Sequence, residues 1–498
     1  MGARVGSFRK IARDGLLAIV LVATFGVRAI ELGQPIVENY VGRQVPTAMV
    51  ARNLERGSGP LHPRLDTAPW PNYFLVEPPL YQLGVVAIRR VTRLGLEPSG
   101  RLLSAMATVA ATWGIFVLTA RGAGRRAGLL AAGAFAAFPL TIRYGRAFQP
   151  DAAMLGAVVA GLACWDHRRY AGGWVLLAIG IAMKILVAPL IMALALTAPR
   201  GRRRSLMVAT ATAVLPVMLW YAWAAHLVAA GSGSRASADN GAIWIGMLVP
   251  ESWLRADSWR LAARFAAIRS FTPIGTVLAA AGLIVARRRA GFWRAWGLAG
   301  SFLLILMISK IHHEYYFLIV APAFAVGTGL ALDRIARVRG GRVLFPMAAV
   351  GMLAMAGWQS RGTWRTPPEW SGLAEAARAV EASTGPGACV VAPEALLFAA
   401  DRRGCRLEWT EPAARRAAGE WGEAGVVADV RGPIDLVDFY RSRGARYFAD
   451  LGDRRDDPRR LALHEAVRQR YKVIIDRPEV LIVDLESVPL ARVLPHAN

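Results

Sequence analysis

Long apolar runs recur between residues 15 and 358, and short arginine clusters stand between them. No other feature constrains the fold as tightly. About 20 apolar residues span the hydrocarbon of a bilayer as a helix. Basic residues between such runs mark the loops that stay in the cytoplasm. Composition agrees: 55% of the 498 residues are hydrophobic and only 19% are charged, against about a quarter charged in soluble domains. The formal charge of +25 would point to nucleic acid in a soluble chain. Here it is distributed as loop clusters, so no nucleic-acid partner is expected.

Hydropathy and the arginine clusters together place the spans. A first helix at about 16–32 follows Arg9, Lys10 and Arg13 and reads as retained rather than cleaved. A Pro-, Asn- and Gly-rich loop runs from Gly33 to Pro79. The next helical stretch carries Arg89, Arg90 and Arg93, so it is expected to lie in the interface rather than to span. Further spans are expected near 102–119, 127–140 and 153–165. The run 171–198 holds a lone lysine, Lys184, at its centre. A hairpin breaking there keeps the cluster Arg200–Arg204 in the cytoplasm. Spans near 206–230, 273–286, either side of Lys310, and 343–358 complete the set.

The expected fold is mainly α, a polytopic transmembrane bundle of about eleven spans. The N-terminus lies inside, and large outer loops fall at about 33–101 and 231–272. The membrane module covers 1–364. Residues 365–498 have soluble composition and read as an extracytoplasmic α/β domain, with ACVVA, RYFADL, KVIID and VLIVDL as buried strands. Cys389 and Cys405 both lie in this tail, and Cys164 lies in an apolar run. A bond between the tail pair is open if the tail is outside the cytoplasm.

Chemistry is therefore sought in the outer loops. Glu38 lies just beyond the first span, with Arg43 five residues on. A carboxylate there can take a proton from an attacking acceptor, and an arginine can bind phosphate; both could also be ordinary loop residues. The same loop ends in EPPL, where two prolines hold Glu77 at the entry to a helix. The second outer loop, TIRYGRAFQPD, brings Arg146 and Asp151. Asp151 reads either as a helix cap or as a second acid near the substrate. Lys184 is an ionisable residue at membrane depth. SKIHHEYYF adds Lys310, His313 and Tyr316; the segment reads as an aromatic and basic interfacial belt, with Lys310 a candidate for phosphate. The chain has no P-loop, no dinucleotide-binding glycine fingerprint, no HExxH and no GxSxG. A nucleotide-sugar donor has no evident site, and a lipid-linked donor needs none.

The order and location of these residues resemble the glycosyltransferase C superfamily, in the branch of the lipid A aminoarabinose transferases and protein O-mannosyltransferases. The resemblance covers residues 15 to about 360. It implies a sugar donor linked to polyprenyl phosphate and a lipid, glycan or protein acceptor, met at the outer face of the inner membrane. It makes Glu38 the catalytic base, with Asp151 supporting the donor or a divalent metal, for which Glu38 and Asp151 are the acids on offer. Glu77 takes a supporting role. Lipid phosphate would fall to Arg43, Arg146, Lys184 or Lys310, with His313 and Tyr316 beside them. Two departures stand out: the first-loop acid is usually Asp, and the residue after the Glu77 equivalent is often Lys but is Pro78 here. A lipid or glycan transporter and a polysaccharide ligase are the rival readings. No paired halves of the kind transporters show are visible in the sequence.

Overall fold

A computed structural model describes residues 15–233, 251–285, 290–308, 313–422, 429–452 and 457–487. Lys310 lies outside the described residues, as does the part 234–250 of the loop expected at 231–272. In chain order the longer helices are α1 Gly15–Ala29, α2 Val41–Glu55, α3 Leu80–Thr92, α4 Leu96–Ala123, α5 Arg125–Ala137 and α6 Pro139–Tyr144. They continue as α7 Pro150–Asp166, α8 Tyr170–Met183, α9 Val187–Thr197, α10 Arg200–Ala229, α11 Ala256–Arg264 and α12 Pro273–Val285. Then come α13 Gly291–Leu306, α14 Ala321–Ile335 and α15 Gly341–Ser360. The C-terminal part adds α16 Leu373–Ser383, β1 Val390–Ala392, α17 Glu394–Ala399, β2 Gly404–Arg406 and α18 Glu411–Gly419. It closes with α19 Pro433–Arg441, β3 Tyr447–Leu451, α20 Pro458–Arg470, β4 Lys472–Arg477 and β5 Val480–Asp484.

Among the described residues, α4, α10 and a helix beginning at Gly341 are long and apolar enough to cross a bilayer. A pair bent by 97°, Ala256–Ser270 and α12, would make a fourth. Helices α1, α8, α9 and α13 are apolar but shorter. The chain is an integral membrane protein, mainly helical with one small sheet. It divides into two compact units. The first comprises Met1–Gln34, Glu77–Trp223 and Gly241–Arg365; the second comprises Pro35–Val76, Ala224–Asn240 and Thr366–Asn498.

In the first unit helices meet at glycine. A Cβ on Gly282 of α12 would lie 1.8 Å from the Gly327 carbonyl of α14, and one on Gly327 would lie 2.3 Å from the Ala279 carbonyl. Backbones touch there, as small residues permit between helices in lipid. Fully buried arginines tie off the helix ends. Arg28 donates to the Thr141, Thr24 and Ala136 carbonyls at 2.9–3.1 Å. Arg101 donates to Leu32 O at 2.9 Å and also to Gln34 O. Carbonyls left over where a helix stops need donors once they are buried in the protein, and the guanidinium fork supplies several at once.

In the second unit the strands form one mixed sheet, in the order β2-β1-β3-β5-β4. β1 runs parallel to β2 and β3, while β5 runs antiparallel to β3 and β4. β5 is buried and β4 is an exposed edge, guarded by Lys472, Asp476 and Arg477 in the manner of edge strands that resist further pairing. Val391, Phe448, Leu481 and Val483 pack with Leu436, Val437, Leu463 and Val467 from α19 and α20. The expected strands at ACVVA, RYFADL, KVIID and VLIVDL are all present; β2, with the sequence GCR, carried no apolar signal.

The segment 35–76 shares this unit. Arg52 on α2 pairs with Asp66 at 2.5 Å, donates to Phe398 O at 2.8 Å and lies over the Phe398 ring. Asp66 O and Ala68 N hydrogen-bond with Gly404, so the segment continues the sheet past β2.

Gly282→Ala should lower the thermal stability of the detergent-purified protein by about 1–3 kcal/mol, as overpacking does. Gly133→Ala, on α5 where a Cβ meets nothing within 4 Å, should leave the melting curve in place. Equal behaviour of the two variants in a thermal-shift assay would show that the α12–α14 contact is not as close as described.

Candidate active site

Asp151 stands in the first turn of α7, one residue after Pro150, which occupies the first helical position. Proline is pre-shaped for that place and lacks only an N–H that would have had no helical partner. Gln149 holds the cap position, and no side-chain cap bond forms. The cap alternative for Asp151 is thus replaced by another contact. Its Oδ1 lies 2.5 Å from Lys184 Nζ.

Lys184 reaches that carboxylate because the chain breaks at it. α8 ends at Met183, Lys184 is extended (φ −155°, ψ 105°), and α9 begins at Val187. The break expected from the lone lysine is present. Both side chains are withdrawn from solvent, at 11% and 3% exposure. The ammonium also sits 4.7 Å from the Tyr315 ring centre and 5.0 Å from that of Tyr316, within reach of cation–π attraction.

The tyrosines belong to a short 3-10 segment, Glu314–Ile319, that is buried throughout. This corrects the interfacial-belt reading: Tyr315 and Tyr316 are buried inside the protein rather than forming a girdle at the lipid–water boundary. The His313 ring stacks on Tyr315 with centres 5.4 Å apart, and Tyr144 meets Tyr315 edge-on at 5.9 Å. Beneath them Glu314 pairs with Arg143, accepts from Ser270 Oγ at 3.3 Å and lies 3.6 Å from Arg269. Arg143 also donates to Arg269 O at 2.8 Å. A buried carboxylate so fully met holds the adjacent tyrosines in one place.

Two groups here could receive a ligand. Asp151 Oδ2 is buried and has no hydrogen-bond partner among the described residues. The Gln149 side chain is fully buried, and neither its Oε1 nor its Nε2 has one. Buried polar atoms of this kind call for a partner, and a hydroxyl-rich molecule would supply both donors and acceptors. Gln149 was not legible in the sequence, because nothing marks a loop glutamine. Tyr315, Tyr144, Arg143 and Glu314 were likewise not singled out as site residues.

The other expected site residues are placed as follows. Arg146 is fully buried and donates to Thr363 O, Ile30 O and Glu31 O at 2.6–2.7 Å. Glu77 is buried and opens the second segment of the same unit. Glu38 and Arg43 lie in the second unit, where Glu38 is 1% exposed and its carbonyl accepts from Gln44 Nε2 at 2.6 Å. Asn39 follows in the left-handed region (φ 59°), which asparagine tolerates better than most residues, and α2 starts two residues later. Arg43 lies over the Phe74 ring, 5.3 Å from its centre. The second unit also has a cavity of about 870 Å³ lined by Trp370, Glu369, Glu375, Leu451, Pro478 and Glu479. No three His, Cys, Asp or Glu side chains converge as metal ligands among the described residues.

No family model matches the chain, and no curated protein matches it in sequence. Its fold does match solved structures. ArnT from Cupriavidus metallidurans bound to undecaprenyl phosphate superposes with a TM-score of 0.59 at 16% identity, over 95% of this chain and 98% of that one. The fold is that of the membrane glycosyltransferases. The Archaeoglobus fulgidus oligosaccharyltransferase gives 0.58 at 12% identity, over 92% and 71% of the two chains. The mycobacterial arabinofuranosyltransferase AftD gives 0.54 at 16%, over 96% and 40%. All three neighbours are glycosyltransferases of the C superfamily, the group whose residue pattern the sequence resembles.

Lys184→Met should destabilise the purified protein by roughly 3–5 kcal/mol, since it leaves the Asp151 charge buried and unpaired. Asp151→Asn combined with Lys184→Met should recover most of that loss. A double variant as unstable as the sum of the singles in thermal unfolding would mean that the two groups are not paired.

Proposed function

We propose that the chain transfers a sugar from a polyprenyl-phosphate donor to a lipid, glycan or protein acceptor at the outer face of the inner membrane. The observation that carries this reading is the buried Asp151–Lys184 pair in its tyrosine box, set in the fold of ArnT bound to undecaprenyl phosphate. With the four shorter apolar helices and with α5, α7 and α14, the long helices and the bent pair make a bundle of about eleven crossings. The N-terminus then lies inside and the tail outside, as the arginine clusters require.

Lys184 is assigned to the donor phosphate. Its ammonium is held by a carboxylate and two rings, so it is oriented before the donor arrives. Placing a fixed cation where negative charge develops on the leaving group is often the largest single contribution to such a rate. Asp151 Oδ2 and the Gln149 amide are assigned to the sugar hydroxyls. Arg43 is a second phosphate ligand. The Arg146 guanidinium, with its backbone carbonyls, has a positioning role, holding the second outer loop that carries Asp151.

Glu38 is assigned as the base. The acceptor oxygen bonds to the anomeric carbon as the bond from that carbon to the phosphate oxygen breaks. The acceptor proton passes to the Glu38 carboxylate, and polyprenyl phosphate departs with the bonding electrons. Acid–base help of this kind contributes about 10²–10⁴ in rate. Acceptor recognition is assigned to the tail, supported by the Trp370 cavity with its three glutamates. An aromatic face with carboxylates around it suits hydroxyls or amines.

Glu38→Gln should leave expression and the melting curve unchanged while lowering transfer about a hundredfold. The assay uses a panel of radiolabelled polyprenyl-phosphate sugars with total envelope extract as acceptor. Near-normal transfer by that variant would remove Glu38 as the base. If the wild type moves the labelled lipid across vesicles but forms no labelled product, the chain is a transporter.

A further inference from the structure

We propose that Cys389 and Cys405 form a disulfide that staples the β1–β2 edge of the tail sheet, on which the segment carrying Glu38 is docked. The inference rests on the tail lying outside the cytoplasm, as proposed above. The two sulfurs are 3.7 Å apart. A bond of about 2.05 Å needs only a small closure of two adjacent side chains.

The register explains the proximity. Val391 of β1 pairs with Cys405 of β2, and Cys389 stands two residues before Val391. Side chains two apart on a strand share a face, so both thiols project from the same side of neighbouring strands. The two cysteines differ in environment. Cys405 is 1% exposed, and its thiol–thiol hydrogen bond with Cys389 and its burial both push the thiol up. Cys389 is only partly buried, and the Cys405 thiol, with the charge of Arg403, holds it below the usual range. Cys389 is thus the accessible nucleophile and Cys405 the resolving partner.

The oxidant is a disulfide, either a small molecule or an oxidoreductase. The Cys389 thiolate attacks one of its sulfurs and expels the first thiol. Cys405 then attacks the Cys389 sulfur of the mixed disulfide and expels the second. Two cysteine protons end on the two released thiols, and the electrons balance.

The staple sits where it matters for the rest of the unit. Gly404, next to Cys405, accepts from Ala68 N at 2.8 Å and donates to Asp66 O at 3.0 Å. Asp66 in turn holds Arg52 of α2, the helix that starts three residues after Glu38. β2 is only three residues long. A covalent tie to β1 would fix the strand on which the first-loop segment leans.

The test uses the full-length protein in two arms. In one, membranes are lysed in N-ethylmaleimide without reductant, and the protein is purified and digested with trypsin. Cleavage after Arg402 and Arg403 separates the two cysteines, so only a disulfide joins their peptides. The expected product is that pair, lighter by two hydrogens, with Cys164 alkylated. In the other arm, reduced protein in nanodiscs is treated with oxidised glutathione. It should form the same bond, and its melting temperature should rise by several degrees. Alkylated Cys389 and Cys405 in the first arm, with only glutathione adducts or bonds between chains in the second, would overturn the proposal. A bond formed by glutathione but absent from the membrane-derived protein would support the pair and overturn the outer placement of the tail.

Discussion

An ammonium and a carboxylate 2.5 Å apart, both withdrawn from solvent, set terms that the surrounding helices must meet. Neither charge could be held alone so far from solvent, because an unpaired ion in a low-dielectric interior is costly. The pair therefore fixes where α7 begins and where α8 must stop. It also leaves one carboxylate oxygen without a donor. A group so prepared is costly in a purely structural role and useful in a binding one.

The same logic runs through the rest of the first unit. Arg28, Arg101 and Arg146 are fully buried and donate to carbonyls at helix ends and in the chain between helices. Glu314 is met by Arg143, Ser270 and Arg269. Each of these four side chains has partners that fix it, and the tyrosine box inherits that rigidity. Where hydrocarbon replaces water, polar side chains position helices more than apolar ones do, because lipid competes equally for every leucine. Glycine contacts such as Gly282 with Gly327 add the close fit.

Much of this was legible in the sequence. The runs and arginine clusters predicted a helical membrane chain, and Lys184 in the middle of an apolar run predicted the break that the structure contains. Four of the five strands were visible as short apolar runs. β2 was not, because its pairing is set by β1 and by the segment at Asp66–Ala68 rather than by its own residues. The site was half legible. Lys184 stood out as a charge in an apolar run and Asp151 as an acid in an outer loop at a helix start, whereas Gln149, Arg143 and the packing of Tyr315 gave no local signal. The interfacial-belt reading of the tyrosines failed because composition cannot tell an interior aromatic pair from one at the membrane surface.

The sequence by itself determined lipid as the solvent of the apolar runs, and a mainly helical architecture that follows from the need to satisfy backbones within the chain. That information is local, since hydropathy and charge add up along a window of residues. Tertiary structure alone decided which polar groups meet. It joined Asp151 to Lys184 across 33 positions, Arg143 to Glu314 across 171, and the segment 35–76 to a sheet built more than 300 residues later. Such pairings depend on how whole helices cross and on which strand edges remain open, and no window of sequence contains them.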